Sequence, residues 1–585
     1  MTDRPPPLRR RLLCCAVMVN LRAELRKAIV EAVARAQTAG ELPAAQETDV
    51  SVQYPPATQE ALGDYASPVA HTIAKRTRKK PMEIVEIIAK HFTPPEFVGK
   101  VEGVEPGFLN FRLNPGWLVQ KLDDVIEEGT RYGQSELGQG TTVNLEFVSA
   151  NPTGLPTFGN GRALFWADTL GRVLQASGYA VTREYYVNDL GTQVERYGES
   201  VLRRILEAHG EDIPFPEELY QGEDVKVVAR RVEERITEDT HHVFSVRDLE
   251  DPTFLQHVTR IAVDETVRAI REVLEEVCQV HFDVWTFEHV LHERGDVQAV
   301  LAALAKGNLT YEQDDALWFR STKFGDDKDR VLVRKGGQPT YFVGDIAYHR
   351  DKFRRGYQLI ADFWGADHHG DIPRLTGALK ALGEDTSRIR FLLAQMVAVV
   401  ERGERKKMSK RAGTAVPLHE MVEIAGLSAA RFFLTMMALS SHMEFDVDLA
   451  REQTQRNPVY YVQYAHVRLS SLLRKAREQN ILDGDIIPPL GARVPLTHTT
   501  ELALMRQLFR FPEVVEDVAV SWDVQRLPHY ASTLAKAIHL FYDAVPVLGA
   551  DDAEVKSARL TLALAAKTAL GNVLDLLGVE KRDIM

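Results

Sequence analysis

The sequence predicts a multidomain α/β protein, with a parallel-sheet core, a small α/β domain before it and an all-helical domain after it. Three observations support this prediction. Residues 142–188 have the pattern strand, loop, helix, strand; further strand patterns follow as far as residue 400; and only helical patterns follow residue 450. A chain of 585 residues is also too long for one hydrophobic core.

The core prediction starts from the strand-helix-strand pattern. Residues 142–149 and 181–188 are apolar, aromatic and β-branched, as buried strands are. Between them, apolar residues repeat at helical spacing from Gly161 onward. Two strands joined by a helix in this way lie parallel in one sheet. Residues 195–300 are charge-dense and helical in pattern, which predicts a helical insertion.

Strand patterns resume after this insertion and end with the core domain, for which we predict the bounds 126–450. The expected strands lie at residues 316–319, 331–333, 340–343, 359–364 and 390–400. Before the core, residues 18–125 should form the α/β domain, with a first helix capped by Asn20. After it, residues 451–585 should form a helical bundle, in which Asn457 and Pro458 are a cap and first-turn pair.

The first residues of the chain have an unusual composition. Residues 1–17 contain a proline run and three consecutive arginines before a short apolar stretch. This outline is typical of a signal peptide, but no small-x-small cleavage site follows it. We favour the alternative in which Met18 is the natural start and residues 1–17 are a disordered or non-native extension.

Composition narrows the class of protein. The net charge of −12 argues against a surface coated in positive charge for non-specific nucleic-acid binding. Basic clusters at residues 75–80 and 402–411 still leave RNA binding open, with a solvated surface as the alternative. No apolar run approaches the ~20 residues of a membrane span. The three cysteines fit a reducing cytoplasm, so we predict a cytoplasmic protein without a membrane partner.

Two loops indicate a nucleotide site. The first contains Asn151, Pro152 and Gly154 and leads into a helix start, where free N–H groups and the helix dipole suit a phosphate. A simple connector has the same pattern. The second, residues 404–414, has lysines that can neutralise a bound triphosphate, or it is a solvated basic loop. No Walker A loop, dinucleotide fingerprint or converging set of metal ligands occurs, and no structural metal is predicted.

Both loops resemble signatures of class I aminoacyl-tRNA synthetases. Lys407-Met408-Ser409-Lys410 is similar to their KMSK loop, and residues 150–162 lie where their HIGH motif lies. The blocks YYVND, FGDDK, DIAYH, GADHH and NPVYYVQYA resemble those of bacterial arginyl-tRNA synthetases, in the same order, over residues 18–585. The resemblance implies a class I Rossmann-like catalytic domain, a tRNA-elbow-binding N-terminal domain and an anticodon-binding helical domain.

One block departs from the family, which usually has H-V-G-H where this sequence has Thr157-Phe158-Gly159-Asn160. Gly159 allows close approach to the backbone, and the Thr hydroxyl and Asn amide can still donate hydrogen bonds to a nucleotide. The residues implied to act in catalysis are Thr157, Gly159, Asn160, Lys407 and Lys410. Those implied to bind ATP, with its Mg²⁺, are Pro152, Thr157, Phe158, Gly159, Asn160, Lys407, Met408, Ser409 and Lys410.

The resemblance also implies an arginine pocket. A guanidinium is a planar five-donor cation that needs fixed carboxylates and a flat wall. Asp345, at the end of the expected strand 340–343, would be the specificity carboxylate, with Tyr341 as the wall and Glu146 as a second acceptor. The alternatives are a helix cap for Asp345 and packing for Tyr341. The implied arginine-binding residues are Glu146, Ser149, Asn151, Tyr341, Asp345 and His369.

The residues implied to bind tRNA lie in the two outer domains. Aromatics at helical spacing are usually core residues, and at least two of those after Asn457 should be; unpaired bases would stack on the others. The basic cluster of the first domain suits the tRNA elbow. The implied tRNA-binding residues are Lys79, Lys80, Tyr460, Tyr461, Gln463 and Tyr464.

Together these expectations describe a monomeric enzyme that attaches L-arginine to tRNA(Arg) through an arginyl-adenylate. A catalytically weak paralogue that binds tRNA or arginine for regulation is the alternative, favoured by the loss of both histidines. A class I ligase for a different amino acid also stands unless Glu146 and Asp345 face one cavity.

Overall fold

The computed structural model describes residues 20–43, 50–55, 62–405, 416–482, 494 and 496–585. The N-terminal extension and the KMSK-like residues Lys407, Met408, Ser409 and Lys410 lie outside this part of the chain. Within it, the predicted fold class is confirmed: a parallel sheet with helices on it lies between a small α/β unit and a helical bundle.

The first unit is an antiparallel sheet covered by helices. Its elements are α1 (Leu21–Thr38), β1 (Tyr65–Ser67), α2 (Val69–Ala74), α3 (Pro81–His91), β2 (Val98–Val104) and β3 (Phe108–Leu113), followed by the connecting helices α4 (Pro115–Gln120) and α5 (Leu122–Glu128). The strands follow the order β1-β3-β2. Asn20 caps α1 as predicted, since its side chain accepts a hydrogen bond from the N–H of Ala23.

A five-stranded parallel sheet forms the centre of the molecule. Its elements and the insertions between them are β4 (Thr142–Glu146), α6 (Phe158–Ala176), β5 (Ala180–Val187), α7 (Thr192–Ala208), α8 (Glu223–Thr240), α9 (Pro252–Arg271), β6 (Val284–Phe287), α10 (Glu288–Glu293), α11 (Asp296–Lys306), β7 (Thr310–Gln313), β8 (Ala316–Phe319), β9 (Arg330–Val333), α12 (Tyr341–Arg354), β10 (Leu359–Gly365), α13 (Asp371–Ala381) and β11 (Ile389–Ala394). The strand order is β11-β10-β4-β5-β6. The strand-helix-strand prediction is confirmed, because β4 and β5 pair in parallel on either side of α6.

Helices α7, α8 and α9 have a hydrophobic core of their own, and β7, β8 and β9 form a separate three-stranded sheet. After β11 the chain continues through β12 (Val397–Glu401), β13 (Glu404–Arg405), α14 (Leu418–Ala425), α15 (Leu427–Thr435), β14 (Met443–Asp446) and α16 (Val447–Arg451). Strands β13, β12 and β14 make a small fourth sheet among the described residues. These elements pack beside α6, whose Gly161 faces the side chain of Leu418.

Two predictions about the core were wrong. Residues 340–343 are no strand: Thr340 is the extended cap of α12, which begins at Tyr341. The aromatic and β-branched side chains that suggested a strand are here placed by tertiary packing, which overrides local preference. The insertion at residues 195–300 contains β6, which joins the edge of the parallel sheet beside β5. This strand has only four residues, and it lies inside a stretch that is otherwise charge-dense and helical in pattern, which hid it.

The last unit is the predicted helical bundle, with helices α17 (Pro458–Glu478), α18 (Thr499–Ser521), α19 (Arg526–Ala544) and α20 (Ala553–Leu577). Asn457 caps α17 and Pro458 is its first residue, as predicted. Helix α20 is long and apolar enough to cross a membrane, but most of its apolar window is buried inside the protein. It therefore has the properties of a core helix.

Candidate active site

Polar side chains gather where the strands of the parallel sheet end. Strands β4, β5 and β6 end at Glu146, Val187 and Phe287, and the first half of α12 lies against the same edge. Ligands of open parallel sheets bind outside the carboxyl ends of the strands. This edge is therefore where a substrate is expected.

The loop after β4 has a constrained backbone. Val148 and Ser149 both have positive φ angles, of 70° and 36°, which side-chain-bearing residues adopt at a cost. The Ser149 hydroxyl donates to Glu146 Oε1 at 2.9 Å and accepts from the N–H of Tyr186 at 3.1 Å. Asn151 donates to Gln193 Oε1 at 2.8 Å. These contacts attach the loop after β4 to the end of β5 and to the start of α7.

The start of α6 has donors available for an anion. The side-chain oxygen of Asn160 accepts from the N–H and the hydroxyl of Thr157, at 2.9 and 3.0 Å. The Thr157 hydroxyl therefore already has an acceptor, while the Asn160 amide nitrogen has none among the described residues. Gly159 is exposed at the first turn, and Phe158 and Pro152 are buried beneath it. The N–H of Phe158 donates to the carbonyl of Val416, and that of Asn160 to the carbonyl of Thr157. The Asn160 amide and the N–H of Gly159, by contrast, suit a phosphate.

A pair of carboxyl groups lies beside α12. Asp345 is in the second turn of that helix, and Glu288 is the first residue of α10. Glu288 Oε1 lies so close to Gly344 that a Cβ there would come within 2.9 Å of it. The Asn188 amide, with its nitrogen toward Glu288, donates to Oε2 at 2.8 Å, and Tyr186 also hydrogen-bonds Glu288.

In the described part of the chain, neither carboxyl group of this pair has a lysine or arginine within salt-bridge distance. Burial and then the charges of Asp345 and Asp189 raise the pKa of Glu288 to about 8, against the hydrogen bond from Tyr186. Burial raises the pKa of Asp345 to about 6, although His349 and Arg374 oppose it. The site thus has an excess of negative charge that a cationic ligand would balance.

The carboxylate of Glu146 already has partners. Its Oε2 accepts from the fully buried Lys352 at 2.5 Å, and its Oε1 accepts from Ser149. Lys352 also bonds Asp362 at 2.5 Å, and His349 lies between Asp362 Oδ2, at 2.9 Å, and the carbonyl of Asp345, at 2.7 Å. Glu146 therefore belongs to the ion-pair network beneath the pocket. Glu288, rather than Glu146, has carboxylate oxygens without a lysine or arginine partner among the described residues, as the predicted second acceptor would need.

Sequence reasoning missed Glu288. The available signal was its place directly after a strand of the parallel sheet, but that strand, β6, was itself missed. Asp345 is no helix cap, because it lies inside α12 rather than at its start. Tyr341 is 45% exposed, so packing does not account for it either. Its hydroxyl approaches Gly191, where a Cβ would come within 2.2 Å.

The remaining predicted residues lie apart from this pocket. His369 is exposed on a 3-10 turn after β10, and no described contact joins it to Asp345. Gln463 is buried and donates to the carbonyl of Glu580 at 2.8 Å, which is a structural role. The half-buried rings of Tyr460 and Tyr464 stack at 6.1 Å.

The other predicted tRNA-binding side chains differ in exposure. Tyr461 packs on His539, with ring centroids 4.5 Å apart. Lys79 and Lys80 are exposed immediately before α3. Of the whole predicted set, the two lysines are exposed and the rings of Tyr460, Tyr461 and Tyr464 are half-buried, so each of these has surface to offer a partner.

Family models match almost the whole chain. Residues 23–113 match the arginyl tRNA synthetase N terminal domain, residues 121–435 the catalytic domain of class I (R) tRNA synthetases, and residues 462–585 the DALR anticodon binding domain. The chain is 42% identical to the arginine–tRNA ligase of Moorella thermoacetica over 571 residues, which are 97% of this chain and 100% of the relative. The chain belongs to the arginyl-tRNA synthetase family.

Further relatives agree with this family assignment. The arginine–tRNA ligase of Carboxydothermus hydrogenoformans is 40% identical over 97% of this chain and 98% of the relative. The fold is similar to that of Thermus thermophilus arginyl-tRNA synthetase, with a TM-score of 0.73 and 21% identity over 97% of this chain and 100% of that one. The position of Glu146 relative to Asp345 did not decide whether the chain is a class I ligase for a different amino acid. The family match excludes that alternative.

Proposed function

We propose that this protein attaches L-arginine to tRNA(Arg) at the expense of ATP, through an arginyl-adenylate. The observation that supports the substrate most directly is the pair Glu288 and Asp345, two carboxyl groups at the sheet edge with no lysine or arginine within salt-bridge distance among the described residues. Together they provide acceptor oxygens for a guanidinium, and Tyr341 provides a flat wall beside them. This arrangement favours arginine over any uncharged amino acid.

The same pocket discriminates against lysine. Arginine presents five N–H donors in one plane and keeps its charge at any physiological pH, whereas lysine presents a single ammonium that loses its proton more easily. Two carboxylates can each accept from the planar fork, and a bidentate geometry adds specificity. An ammonium would leave acceptor oxygens unsatisfied, which costs affinity in a buried site.

ATP is proposed to bind across the start of α6. The exposed Gly159 leaves room beside the backbone, and its N–H and the Asn160 amide can donate to phosphate oxygens. Lys407 and Lys410 would offset charge on the leaving pyrophosphate, with Met408 and Ser409 in the same loop. Mg²⁺ bound with the nucleotide would add further charge neutralisation.

The reaction then needs no protein nucleophile. A carboxylate oxygen of arginine attacks the α-phosphorus, and pyrophosphate leaves. The terminal 2′-hydroxyl of tRNA attacks the activated carbonyl, and AMP leaves. Alignment of the bound reactants supplies much of the rate. Ser149 and Asn151, in the loop after β4, would orient the α-amino and carboxylate groups of arginine. His369 would assist from the turn that follows β10, outside the carboxyl pair.

The outer units are proposed to hold the tRNA. Residues 18–125, with Lys79 and Lys80, would contact the elbow, and residues 451–585, with Tyr460 and Tyr464, the anticodon. Residues 126–450 would be the catalytic domain. We propose a monomer that acts in the cytoplasm.

The test is transfer of labelled arginine to tRNA(Arg) by the purified full chain with ATP and Mg²⁺. A Thr157→His, Asn160→His double variant is measured beside it. Charging by the unaltered protein supports the proposal and shows that Thr157 and Asn160 suffice at the phosphate site. No charging by either protein, with arginine or tRNA still bound, would overturn it in favour of a regulatory binder.

A further inference from the structure

We propose that the empty arginine pocket holds one proton on Glu288, and that binding of the guanidinium expels this proton to solvent. The inference rests on the proposed function and adds to it a regulation of the same site, namely that arginine affinity is coupled to pH. The argument starts from what surrounds Glu288.

The groups that face Glu288 come from three elements. From β5 and the loop after it, Tyr186 and the Asn188 amide hydrogen-bond it, and Asp189 lies nearby. From α12, Gly344 touches it and Asp345 adds a negative charge. On its own helix, His292 Nε2 is 4.0 Å from Oε1. The donors, Tyr186 and Asn188, are neutral, and the two acidic neighbours are negatively charged.

The cations closest to the pocket are engaged elsewhere. Lys352 bonds Glu146 and Asp362, as described above. Arg374 bonds Asp371 at 3.0 Å. Burial lowers the pKa of His292, which keeps that ring neutral at pH 7. No described cation is therefore left to stabilise an ionised Glu288.

Proton balance follows from the chemistry of the ligand. The guanidinium keeps its proton and its positive charge at any physiological pH, so it binds best to two ionised carboxylates. A Glu288 with a pKa of about 8 is mostly protonated at pH 7. Binding therefore converts the Glu288 carboxylic acid to a carboxylate paired with the guanidinium, and one proton leaves to solvent. By linkage, with Asp345 also half protonated at pH 6, the arginine dissociation constant should rise ~100-fold between pH 8 and pH 6 and stay level above pH 9.

Asp189 offers a way to shift this behaviour without touching the carboxyl pair. It is held by His289, whose backbone N–H donates to Asp189 Oδ1 at 3.0 Å and whose ring Nδ1 bonds Oδ2. Its negative charge helps keep the proton on Glu288. Asp189→Asn preserves shape and acceptor and removes the charge, so the midpoint of the pH profile should move to lower pH. A merely structural change would weaken binding equally at every pH.

The experiment is isothermal titration of the full-length protein with L-arginine at pH 7, in phosphate and in Tris. The two buffers take up protons with different enthalpies, so the difference in measured heat counts the protons released. We expect ~0.9 proton per arginine. The same titration with 5-guanidinopentanoate, which lacks the α-amino group, should give the same count, so that the proton is not that of the amine.

Three outcomes are distinguishable. Release close to one proton with both ligands, and a lower-pH midpoint for Asp189→Asn, establishes the inference. Arginine binding with no proton released, or release with arginine only, overturns the inference and leaves the proposed function standing. No arginine binding and no charging of tRNA removes the proposed function itself. Glu288→Gln, where it still binds arginine, should release no proton.

Discussion

Two groups of acidic residues lie beside different turns of α12, and they differ in whether a cation balances their charge. In the network beneath the pocket, Glu146 and Asp362 share the buried Lys352. Two helical turns away, neither Asp345 nor Glu288 has a described lysine or arginine within salt-bridge distance. Burial lowers the pKa of Lys352, but the charges of Asp362 and Glu146 outweigh this and raise it above its ordinary value. The comparison indicates two roles. The acids paired with Lys352 hold α12 to the sheet, whereas Asp345 and Glu288 are available to bind a cationic ligand.

The largest effect is expected at the neutralised group. Lys352→Met should leave Glu146 and Asp362 buried without their cation and destabilise the protein by ~3–5 kcal/mol. Urea unfolding followed by circular dichroism measures this. The exposed Lys226, paired only with Glu223, provides the control Lys226→Met, which should change stability by under ~0.5 kcal/mol. Equal losses in both variants would contradict the assignment.

At the unneutralised group, Asp345→Asn should lower kcat/KM for arginine ~100-fold, because the guanidinium loses a charged acceptor. The KM for ATP should stay within about twofold. Aminoacylation kinetics at varied arginine and ATP separate these effects. Asp367→Asn, an exposed acid on the turn after β10, is the matched control. A parallel loss of ATP affinity would show that Asp345 acts on the fold of the whole site.

Glu288→Gln should stabilise the ligand-free protein while damaging arginine binding. A carboxyl group whose pKa is raised on folding costs no stability below its unfolded pKa near 4.5, and the cost grows as pH rises toward about 8. The gain from the variant should therefore be close to zero at pH 4.5 and reach about 4 kcal/mol at pH 8. Thermal unfolding across this range measures it; a gain independent of pH would refute the explanation.

Gly191→Ala should raise the KM for arginine ~10-fold by displacing the Tyr341 ring, whose hydroxyl occupies the space of the new methyl. Gly191 also has a φ of +89°, which alone costs ~1 kcal/mol in a residue with a side chain. Gly210, with φ +84° and open space around it, controls for this backbone cost. Gly210→Ala should lose similar stability and leave arginine kinetics unchanged.

The smallest effect is expected at the start of α6. Thr157→Ala should cost ~1 kcal/mol of stability, because the N-cap position loses a hydroxyl that donates to Asn160 Oδ1. Its effect on the KM for ATP should be smaller than that of Asn160→Ala, because the Thr157 hydroxyl already bonds Asn160. Initial rates at varied ATP compare the two. A larger ATP effect from Thr157→Ala would mean that its hydroxyl turns to the nucleotide.

Much of this architecture could be predicted from the sequence. Long helices such as α6 and α17, and the parallel strands β4 and β5, have hydrophobic patterns that are recognisable along the chain. Asp345 and Tyr341 were proposed from the resemblance to a family motif, although the residues 340–343 assigned to a strand are the cap and first turn of α12. Glu288 and the Lys352 network could not be found in this way. Their roles depend on which side chains meet across β4, β10, α10 and α12, and such contacts have no periodicity along the chain.

The most direct test of the charge comparison is the thermal stability of the full-length protein at pH 8.5 with and without arginine. A ligand that neutralises Asp345 and Glu288 should raise the melting temperature, and lysine at the same concentration should raise it far less. An Asp345→Asn, Glu288→Gln double variant should start from a higher melting temperature and show no response to arginine. Equal responses to arginine and lysine, or a response that survives in the double variant, would contradict the account.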